Sequence, residues 1–439
     1  MRYVTRTSLA LVVSISLLTS ACTPKAADQP NTDITSEPDF SSTLSILTKF
    51  GGEPDSQYFG DLADDYMKLH PSVKIELIQE TDQSVKDKTK TLAASGALPD
   101  IYFSWNGQWA RNFIDGGIAA DLTDLIAPET EWGGTFGETS LEAFKFDDRY
   151  YAVPLYNNAK FVGFNKRAFA EAGIKVPKTF ADLISACKPL REAGYEPMAF
   201  GNKDGWPALH YLQQLFAYNV PDDVLKRDFD PKTATWDDPG YLDALAQFKR
   251  LSTECTGSKD GANGVLYTTA QENFANERSA MYYQEMLEFG SSAGDDAPLD
   301  EENMGIFQLP FPSGSNGDPN ALEGAPEGYM ANSKSPNAPL AVDFLKFATK
   351  KRNAETLASP PYGQPSTVDG AVTEDTASDA INEGVDKINQ ASRLDPWIDT
   401  ASVPQVADAW LAGGEALISG TSTPQEVLDS VQLANELVP

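Results

Sequence analysis

Residues 44–77 read LSILTKFGGEPDSQYFGDLADDYMKLHPSVKIEL, and this stretch decides the fold. Positions 44–48 form a short apolar run typical of a buried strand, and a Gly-Gly turn follows at 51–52. Apolar residues then recur at helical spacing until His70-Pro71, where the predicted helix ends. Positions 73–77 alternate between apolar and polar residues, as in a second strand. A strand, a helix and a strand in succession favour a parallel α/β sheet.

A third strand, predicted at Leu98–Phe103, runs into the aromatic and polar turn Ser104–Trp109. Ligands of open α/β sheets gather at the carboxyl ends of the strands. This turn and the turn after the first strand are therefore expected to carry binding residues. The candidates from these two turns are Trp105, Asn106, Gln108 and, with a weaker case, Glu53.

The amino terminus has the pattern of a secretory signal. Arg2 and Arg6 precede an uncharged apolar run at 9–18, which is shorter than the ~20 residues that a membrane-spanning helix needs. The segment Leu18-Thr-Ser-Ala-Cys22 resembles a bacterial lipobox. We expect a signal peptide over 1–21, and a lipid anchor on Cys22 with a flexible polar tether over 22–42. These features predict a protein held by palmitate on the extracellular face of a bacterial cell membrane.

Length and charge limit the remaining possibilities. About 400 residues follow the tether. A single hydrophobic core is usually formed by fewer residues than this, so two lobes are expected. The formal net charge of −30 repels phosphate backbones, which makes nucleic acid a poor partner. Cys187 and Cys255 both lie on apolar helical stripes, where small core side chains are the simpler interpretation, although the expected compartment also allows a disulfide.

A longer pattern begins at Tyr151-Ala-Val-Pro154 and continues through Phe164-Asn165-Lys166 to Thr179-Phe-Ala-Asp-Leu183. It resembles the family 1 extracellular solute-binding proteins, relatives of maltose-binding protein. Further similar segments are Phe274–Met281, Gly324–Gly328 and Gly420–Leu428. The resemblance covers nearly the whole mature chain. One departure is Gln284-Glu285-Met286, which stands where the family has Gly-x-Trp.

The resemblance implies an architecture and a role. The expected fold is α/β and two-lobed, of the type II periplasmic-binding-protein kind, with a ligand cleft between the lobes. Three crossings between the lobes are expected near 156–161, 303–308 and 350. Lobe 1 would comprise 43–156 plus 308–349, and lobe 2 would comprise 161–303 plus 353–439. The implied role is capture of a carbohydrate and its delivery to the permease subunits of an ABC importer, by a monomer without cofactor or catalysis.

A sugar site needs aromatic plates for the weakly polar ring faces and planar polar groups for the hydroxyl rim. The segment 201–207, GNKDGWP, with His210 one turn later, brings these types together. We expect Trp206 to stack on the ligand, with Lys203, Asp204 and His210 beside it; the alternative is that Asp204 caps a helix and Trp206 packs in a core. The remaining candidates are Asn157 and Asn158 on the first crossing, Gln284, Glu285, Tyr362, and Trp410, for which core packing is an equal interpretation.

Two alternatives stay open at this stage. The same fold could bind a polyamine or a metal ion, since aromatic boxes with carboxylates suit amines as well. The second alternative is a secreted glycoside hydrolase, which needs two carboxylates on either side of one glycosidic bond. Two of the 64 acidic residues that are distant in the sequence could come together in the fold to form such a pair. Other enzyme classes are disfavoured. The Gly-x-Ser-x-Gly match at 290–294 lacks a later histidine, and two histidines and few cysteines leave no zinc-type spacing.

Overall fold

The computed structural model of the protein describes residues 31–256, 261–293 and 297–438. The predicted signal peptide, Cys22 and the first part of the predicted tether lie outside the described residues, as does the end of the 290–294 motif. None of the helices in the described ranges is long and apolar enough to cross a membrane.

The predicted strand, helix and strand of 44–77 are confirmed, and the two strands are parallel. The strands of the described residues are β1 (Thr43–Thr48), β2 (Lys74–Gln79), β3 (Ile101–Ser104), β4 (Lys145–Phe146), β5 (Arg149–Tyr150), β6 (Val153–Asn165), β7 (Met281–Glu285), β8 (Met304–Phe307), β9 (Leu322–Ala331) and β10 (Leu394–Asp395).

Helices surround these strands. They are α1 (Asp55–Leu69), α2 (Asp82–Ser95), α3 (Gly107–Asp115), α4 (Thr123–Ile126), α5 (Glu138–Glu142), α6 (Lys166–Glu171), α7 (Phe180–Glu192), α8 (Trp206–Asn219), α9 (Asp222–Phe229), α10 (Gly240–Cys255), α11 (Tyr267–Ala275), α12 (Phe289–Ser292), α13 (Ala338–Ala348), α14 (Lys351–Ala358), α15 (Asp379–Gln390), α16 (Ile398–Ala401), α17 (Pro404–Ser419) and α18 (Pro424–Glu436). Thr179 caps α7 and forms a capping box with Asp182.

One continuous sheet links the two halves of the molecule, in the strand order β2-β1-β3-β9-β6-β7. The first three strands are parallel, whereas β9 runs antiparallel to both β3 and β6. β10 pairs with β9, and β8 pairs with β6. Because β1 and β3 are parallel neighbours, their carboxyl ends deliver Lys49 and Trp105 to the same edge of the sheet.

The buried side chains form separate clusters, and the chain passes between them within its long strands. In β6, Tyr156 belongs to the first cluster and Val162 to the second. In β9, Leu322 belongs to a third cluster and Ala325 to the first. The crossings expected near 156–161, 303–308 and 350 stay predictions.

Beyond Lys350, Leu357, Ala371 and Trp397 belong to the first cluster, Ile381 belongs to the third, and Ile398 belongs to the second. The lobe boundaries given above stay predictions.

Two local features differ from the sequence interpretation. Cys187 and Cys255 form a disulfide between α7 and α10 rather than packing as free thiols. The part of the tether that the structure describes contacts the first lobe, since the ring of Phe40 stacks on that of His70 with centroids 4.1 Å apart. The backbone N–H of Thr32 donates to the carbonyl of Ser333. Thr32 and Phe40 of the predicted tether therefore contact the folded domain.

Candidate ligand-binding site

A cavity of about 370 Å³ opens where α2 and α3 of the first lobe face α8 and α16. Its aromatic walls are Trp109 and Trp206. Polar side chains complete the lining, among them Lys86, Asn112, Asp204, Asp399 and Asp408. Aromatic walls with a few convergent polar groups are the usual composition of a small-molecule site.

The backbone around Gly205 places Trp206 in the cavity wall. Gly205 has a φ of +78°, a conformation that favours glycine, and α8 begins at the next residue. The Trp206 side chain is 7% exposed, and its ring contacts those of His210 and Tyr267 with centroids 5.2 and 4.9 Å apart. Its Nε1 is buried and has no hydrogen-bond acceptor among the described residues.

The alternative interpretation of this segment, a helix cap by Asp204, is wrong. Gly205 occupies the position before the helix, and no side chain caps it. Asp204 instead lines the cavity beside Trp206. Lys203 is exposed and is absent from the cavity lining, so the structure separates it from the rest of the predicted group.

The turn after β3 supplies the opposing aromatic wall. Trp105 is buried with its ring edge-to-face against both Phe103 and Trp109, at 4.7 and 5.1 Å between centroids. Trp109, which the sequence analysis did not select, is the residue of this turn that reaches the cavity. Asn106 precedes α3 and has a buried Oδ1 without a donor among the described residues. Gln108 instead bonds Asn112 along the surface of α3.

Three lysine ammonium groups lie over the two central indoles. Lys86 Nζ is 5.1 Å from the ring centroid of Trp105 and 5.8 Å from that of Trp206. Lys49 approaches Trp105 to 5.7 Å, and Lys160 approaches Trp206 to 5.8 Å. All these distances fall within the ~6 Å range of cation–π attraction.

Glu285, at the end of β7, is the centre of the buried charge network beneath the cavity. Its carboxylate accepts a hydrogen bond from Asn158 Nδ2 at 2.5 Å and lies 3.4 Å from Lys160 Nζ and 3.8 Å from Lys49 Nζ. Burial acts to raise the pKa of Glu285, but Lys160, Lys49 and the Asn158 bond hold that pKa below its usual value. Two weak sequence candidates, Glu285 and Asn158, thus occupy central positions.

Lys49 connects this network to the first lobe. Its Nζ donates to Glu327 Oε2 at 2.6 Å and lies 3.2 Å from Asp82. The hydroxyl of Tyr156 donates to the same Glu327 oxygen at 2.7 Å. Burial acts to lower the pKa of Lys49, but the surrounding carboxylates raise that pKa well above its usual value.

His210 and Glu323 form a short buried contact, with 2.6 Å between Nδ1 and Oε1. Burial, followed by the nearby ammonium groups of Lys160, Lys86 and Lys49, lowers the pKa of His210 well below its usual value. Burial also raises the pKa of Glu323 well above its usual value. Both directions favour the neutral forms of the two side chains.

Glu288 closes the network below Glu285. It accepts hydrogen bonds from the Tyr282 hydroxyl at 2.8 Å and from the backbone N–H of Glu285 at 2.7 Å. Burial raises its pKa to about 7, which the neighbouring Lys160 only partly offsets. This carboxyl therefore titrates near neutral pH inside the protein.

Several predicted residues lie away from the cavity. Asn157 accepts a bond from Ser140, and Gln284 is buried against Ser292, on the strand faces opposite to their neighbours Asn158 and Glu285. Trp410 is fully buried in the second lobe, in contact with Phe216 and Trp236. Its core interpretation is therefore the one that the structure supports.

Glu53 and Tyr362 belong to a different region. Glu53 lines a larger groove of about 1370 Å³ whose walls come from α11, α12, α15 and the loop at 360–363. Tyr362 stacks edge-to-face on Tyr58, 5.3 Å between centroids, near this groove. Tryptophan is absent from the described lining of the groove, and the buried charges and indoles described above adjoin the smaller cavity, which we take as the ligand site. Within the described ranges, no three His, Cys, Asp or Glu side chains are grouped to hold a metal ion.

Several charged residues of the network were not selected from the sequence, among them Lys49, Lys160, Glu288, Glu323 and Glu327. A signal was available for three of them. Lys160 stands in the otherwise uncharged strand β6, and Glu323 and Glu327, four residues apart on β9, face one side of a strand that is otherwise uncharged. A charge inside a buried strand requires a partner, which marks a site.

The sequence model of the family described as bacterial extracellular solute-binding protein matches residues 51–355. The chain belongs to the bacterial extracellular solute-binding proteins. Members of this family are binding proteins.

Two relatives and one solved structure illustrate the similarity of this solute-binding protein to others. It is 27% identical over 319 residues to the diacetylchitobiose binding protein DasA of Streptomyces coelicolor, covering 72% of this chain and 71% of DasA. It is 21% identical over 365 residues to the multiple sugar-binding protein of Streptococcus mutans, covering 78% of each. A solved structure of a chitin oligosaccharide binding protein superposes with a TM-score of 0.81 at 22% identity, covering 91% of this chain and 99% of that one. This superposition confirms the two-lobed α/β fold.

Proposed function

We propose that the protein captures a neutral oligosaccharide in the cavity between Trp109 and Trp206 and delivers it to the permease of an ABC importer. The observation that carries the proposal is the pairing of two indole walls with a polar rim in one cavity of about 370 Å³. The indoles suit the C–H faces of sugar rings, and the side chains of Asn112, Asp204 and Asp399 suit their hydroxyls.

The charges around the cavity favour an uncharged ligand. Lys49 pairs with Glu327, Lys86 with Asp399, and Lys160 with Glu285, so the three ammonium groups over Trp105 and Trp206 have carboxylate partners. A charged ligand would have to lie beside these ion pairs at the cost of its own desolvation. Hydroxyl groups exchange hydrogen bonds with these ion pairs without that cost.

The relatives support a carbohydrate as the solute. Two of them are a diacetylchitobiose binding protein and a multiple sugar-binding protein. These ligands are properties of those proteins, and a carbohydrate ligand for this chain is part of the proposal.

The proposal includes the anchoring and the movement of the protein. We place the lipid on Cys22, after cleavage of residues 1–21, and expect a monomer whose two lobes close around the ligand. A site shared between lobes is completed only when they close. We expect no catalysis, so that the bound sugar is released intact.

A thermal-shift screen tests the ligand class. Neutral oligosaccharides, including diacetylchitobiose, are compared with polyamines and divalent cations at equal concentration. A ligand that binds only the folded state at 100 times its Kd stabilises the protein by ~2.7 kcal/mol and raises the melting temperature. A rise with one or more sugars alone supports the proposal. A rise only with polyamines or cations refutes the carbohydrate assignment, and sugar cleavage products after incubation would establish a hydrolase instead.

A further inference from the structure

Tyr267, the first residue of α11, contacts the wall of the cavity. Its ring lies against that of Trp206, with 4.9 Å between centroids and 57° between the ring planes. The residue is half-buried, and none of the described residues forms a hydrogen bond with its hydroxyl. Such a tyrosine offers an apolar face and a polar tip beside the proposed stacking residue, and sugar rings need both.

The backbone holds Tyr267 in this position. Two backbone hydrogen bonds, of 2.7 and 2.9 Å, join the segment 201–203 to the segment 262–265. Gly201 allows the two segments to approach, because a Cβ at this position would lie 2.2 Å from the carbonyl oxygen of Leu266. The position of the Tyr267 ring therefore follows from the backbone and does not depend on a bond of its hydroxyl.

The facing wall of the cavity continues in the same direction. Gln83 and Lys86 of α2 line the cavity, and Asp82 begins that helix. Burial, followed by the carboxylates of Asp82 and Glu288, raises the pKa of the Tyr267 hydroxyl above its usual value. Asp82 is thus within electrostatic range of the phenol, and 19% of its side chain is exposed. The phenol keeps its proton and can donate a hydrogen bond.

The dimensions of the two hollows favour a ligand longer than the cavity. The cavity volume of about 370 Å³ lies near the lower end of the ~300 to 1,000 Å³ that small-molecule pockets usually enclose. Gln271 lies one turn beyond Tyr267 on the same face of α11, and it lines the groove of about 1370 Å³. Tyr267 therefore lies between the cavity and the groove.

We propose that Tyr267 forms, opposite Asp82, a second sugar subsite that adjoins the cavity, and that the ligand is an oligosaccharide long enough to occupy both. This inference rests on the proposed function of the cavity. The phenol ring contacts the C–H face of the additional sugar ring, and its hydroxyl donates to a sugar oxygen. The Asp82 carboxylate pairs with Lys49 at 3.2 Å and has further lone pairs that accept from sugar hydroxyls.

Tyr195 provides a matched control. It is also half-buried, it packs against the second hydrophobic cluster, and its hydroxyl donates to Glu171 at 2.8 Å. It is absent from the described linings of both the cavity and the groove. Substitution of Tyr195 therefore removes the same atoms at a position away from the proposed ligand.

The test is calorimetric titration with two series of neutral sugars, diacetylchitobiose and its longer homologues, and maltose and its longer homologues. In the unmodified protein, affinity should rise once the sugar is longer than the cavity can hold. Tyr267→Ala should weaken binding of the longer sugars about tenfold, and Tyr267→Phe about threefold, because only one hydrogen bond is lost. Both variants should bind the shortest sugar normally, and Tyr195→Ala and Tyr195→Phe should match the unmodified protein at every length.

The dependence on length distinguishes a ligand contact from support of Trp206. An equal loss of affinity at every length would show that Tyr267 acts only through Trp206, and this result overturns the subsite. Unchanged binding of the longer sugars by both Tyr267 variants, or length-independent affinity in the unmodified protein, also overturns it. Tyr267→Phe keeps the ring contact and decides the question if Tyr267→Ala folds poorly. If the unmodified protein binds neither series, the proposed function fails and the subsite fails with it.

Discussion

Trp206→Ala is the substitution that most sharply separates a ligand wall from a hydrophobic core. A buried indole offers ~150 to 250 Å² of contact surface, and truncation of a central aromatic contact commonly costs at least ~2 kcal/mol of binding free energy. At ~1.4 kcal/mol per tenfold, the expected loss of affinity is roughly thirtyfold or more. Trp206 borders a cavity, so the loss of folding stability should be smaller than for an enclosed indole.

Trp410→Ala is the matched control. Trp410 is fully buried against Phe216, Trp236 and Tyr241. Its truncation should lower the free energy of unfolding by ~3 to 5 kcal/mol while the folded fraction keeps its affinity. Calorimetric titration gives the affinity of each variant, and denaturant unfolding gives its free energy of unfolding. The assignment is refuted if Trp206→Ala binds normally and instead loses as much stability as Trp410→Ala.

Three further predictions concern other parts of the chain. Cys22→Ala should release the protein from the membrane fraction with unchanged affinity, and a variant that stays membrane-bound would contradict the lipid anchor. Replacing Cys187 and Cys255 together by alanine should lower the free energy of unfolding by ~2 to 5 kcal/mol, and an unchanged unfolding midpoint would show that the disulfide contributes nothing. Glu288 has its pKa raised from 4.5 to about 7, chiefly by burial, so its contribution to stability is fully present below pH ~4.5 and is lost as the pH rises through about 7. The free energy of unfolding should therefore fall less between these pH values in Glu288→Gln than in the unmodified protein, and equal slopes would refute the raised pKa.

The strand, helix and strand at 44–77 follow from the sequence because their signals, apolar spacing and turn residues, lie within a few residues of each other. The passages between the lobes have no local signal of this kind. They lie inside long strands such as β9, where the chain changes its packing partners without a turn, and composition carries no mark of that change.

Side chains of adjacent residues in a strand point to opposite faces of the sheet, and this rule would have reduced the number of candidate site residues. Asn157 and Asn158 are adjacent on β6, so their side chains point to opposite faces, and only Asn158 reaches the charge network. The same rule separates Gln284 from Glu285 on β7. A sequence without an assigned strand register gives both members of such a pair equal weight.

The ion pairs themselves could not be predicted. Lys49 and Glu327 are separated by 278 positions, and Lys86 and Asp399 by 313. Nothing local in either partner identifies the other, because their proximity results from the whole arrangement of the sheet. The buried lysines were recognisable only as charges that needed partners.

Isothermal titration calorimetry with neutral oligosaccharides, followed by mass analysis of the recovered sugar, tests the central claim most directly. The account predicts saturable binding of at least one sugar with one site per chain, a loss of that binding in Trp206→Ala, and recovery of the sugar intact. Absence of binding heat with every sugar over a range of temperatures, or recovery of shortened sugars, would contradict it.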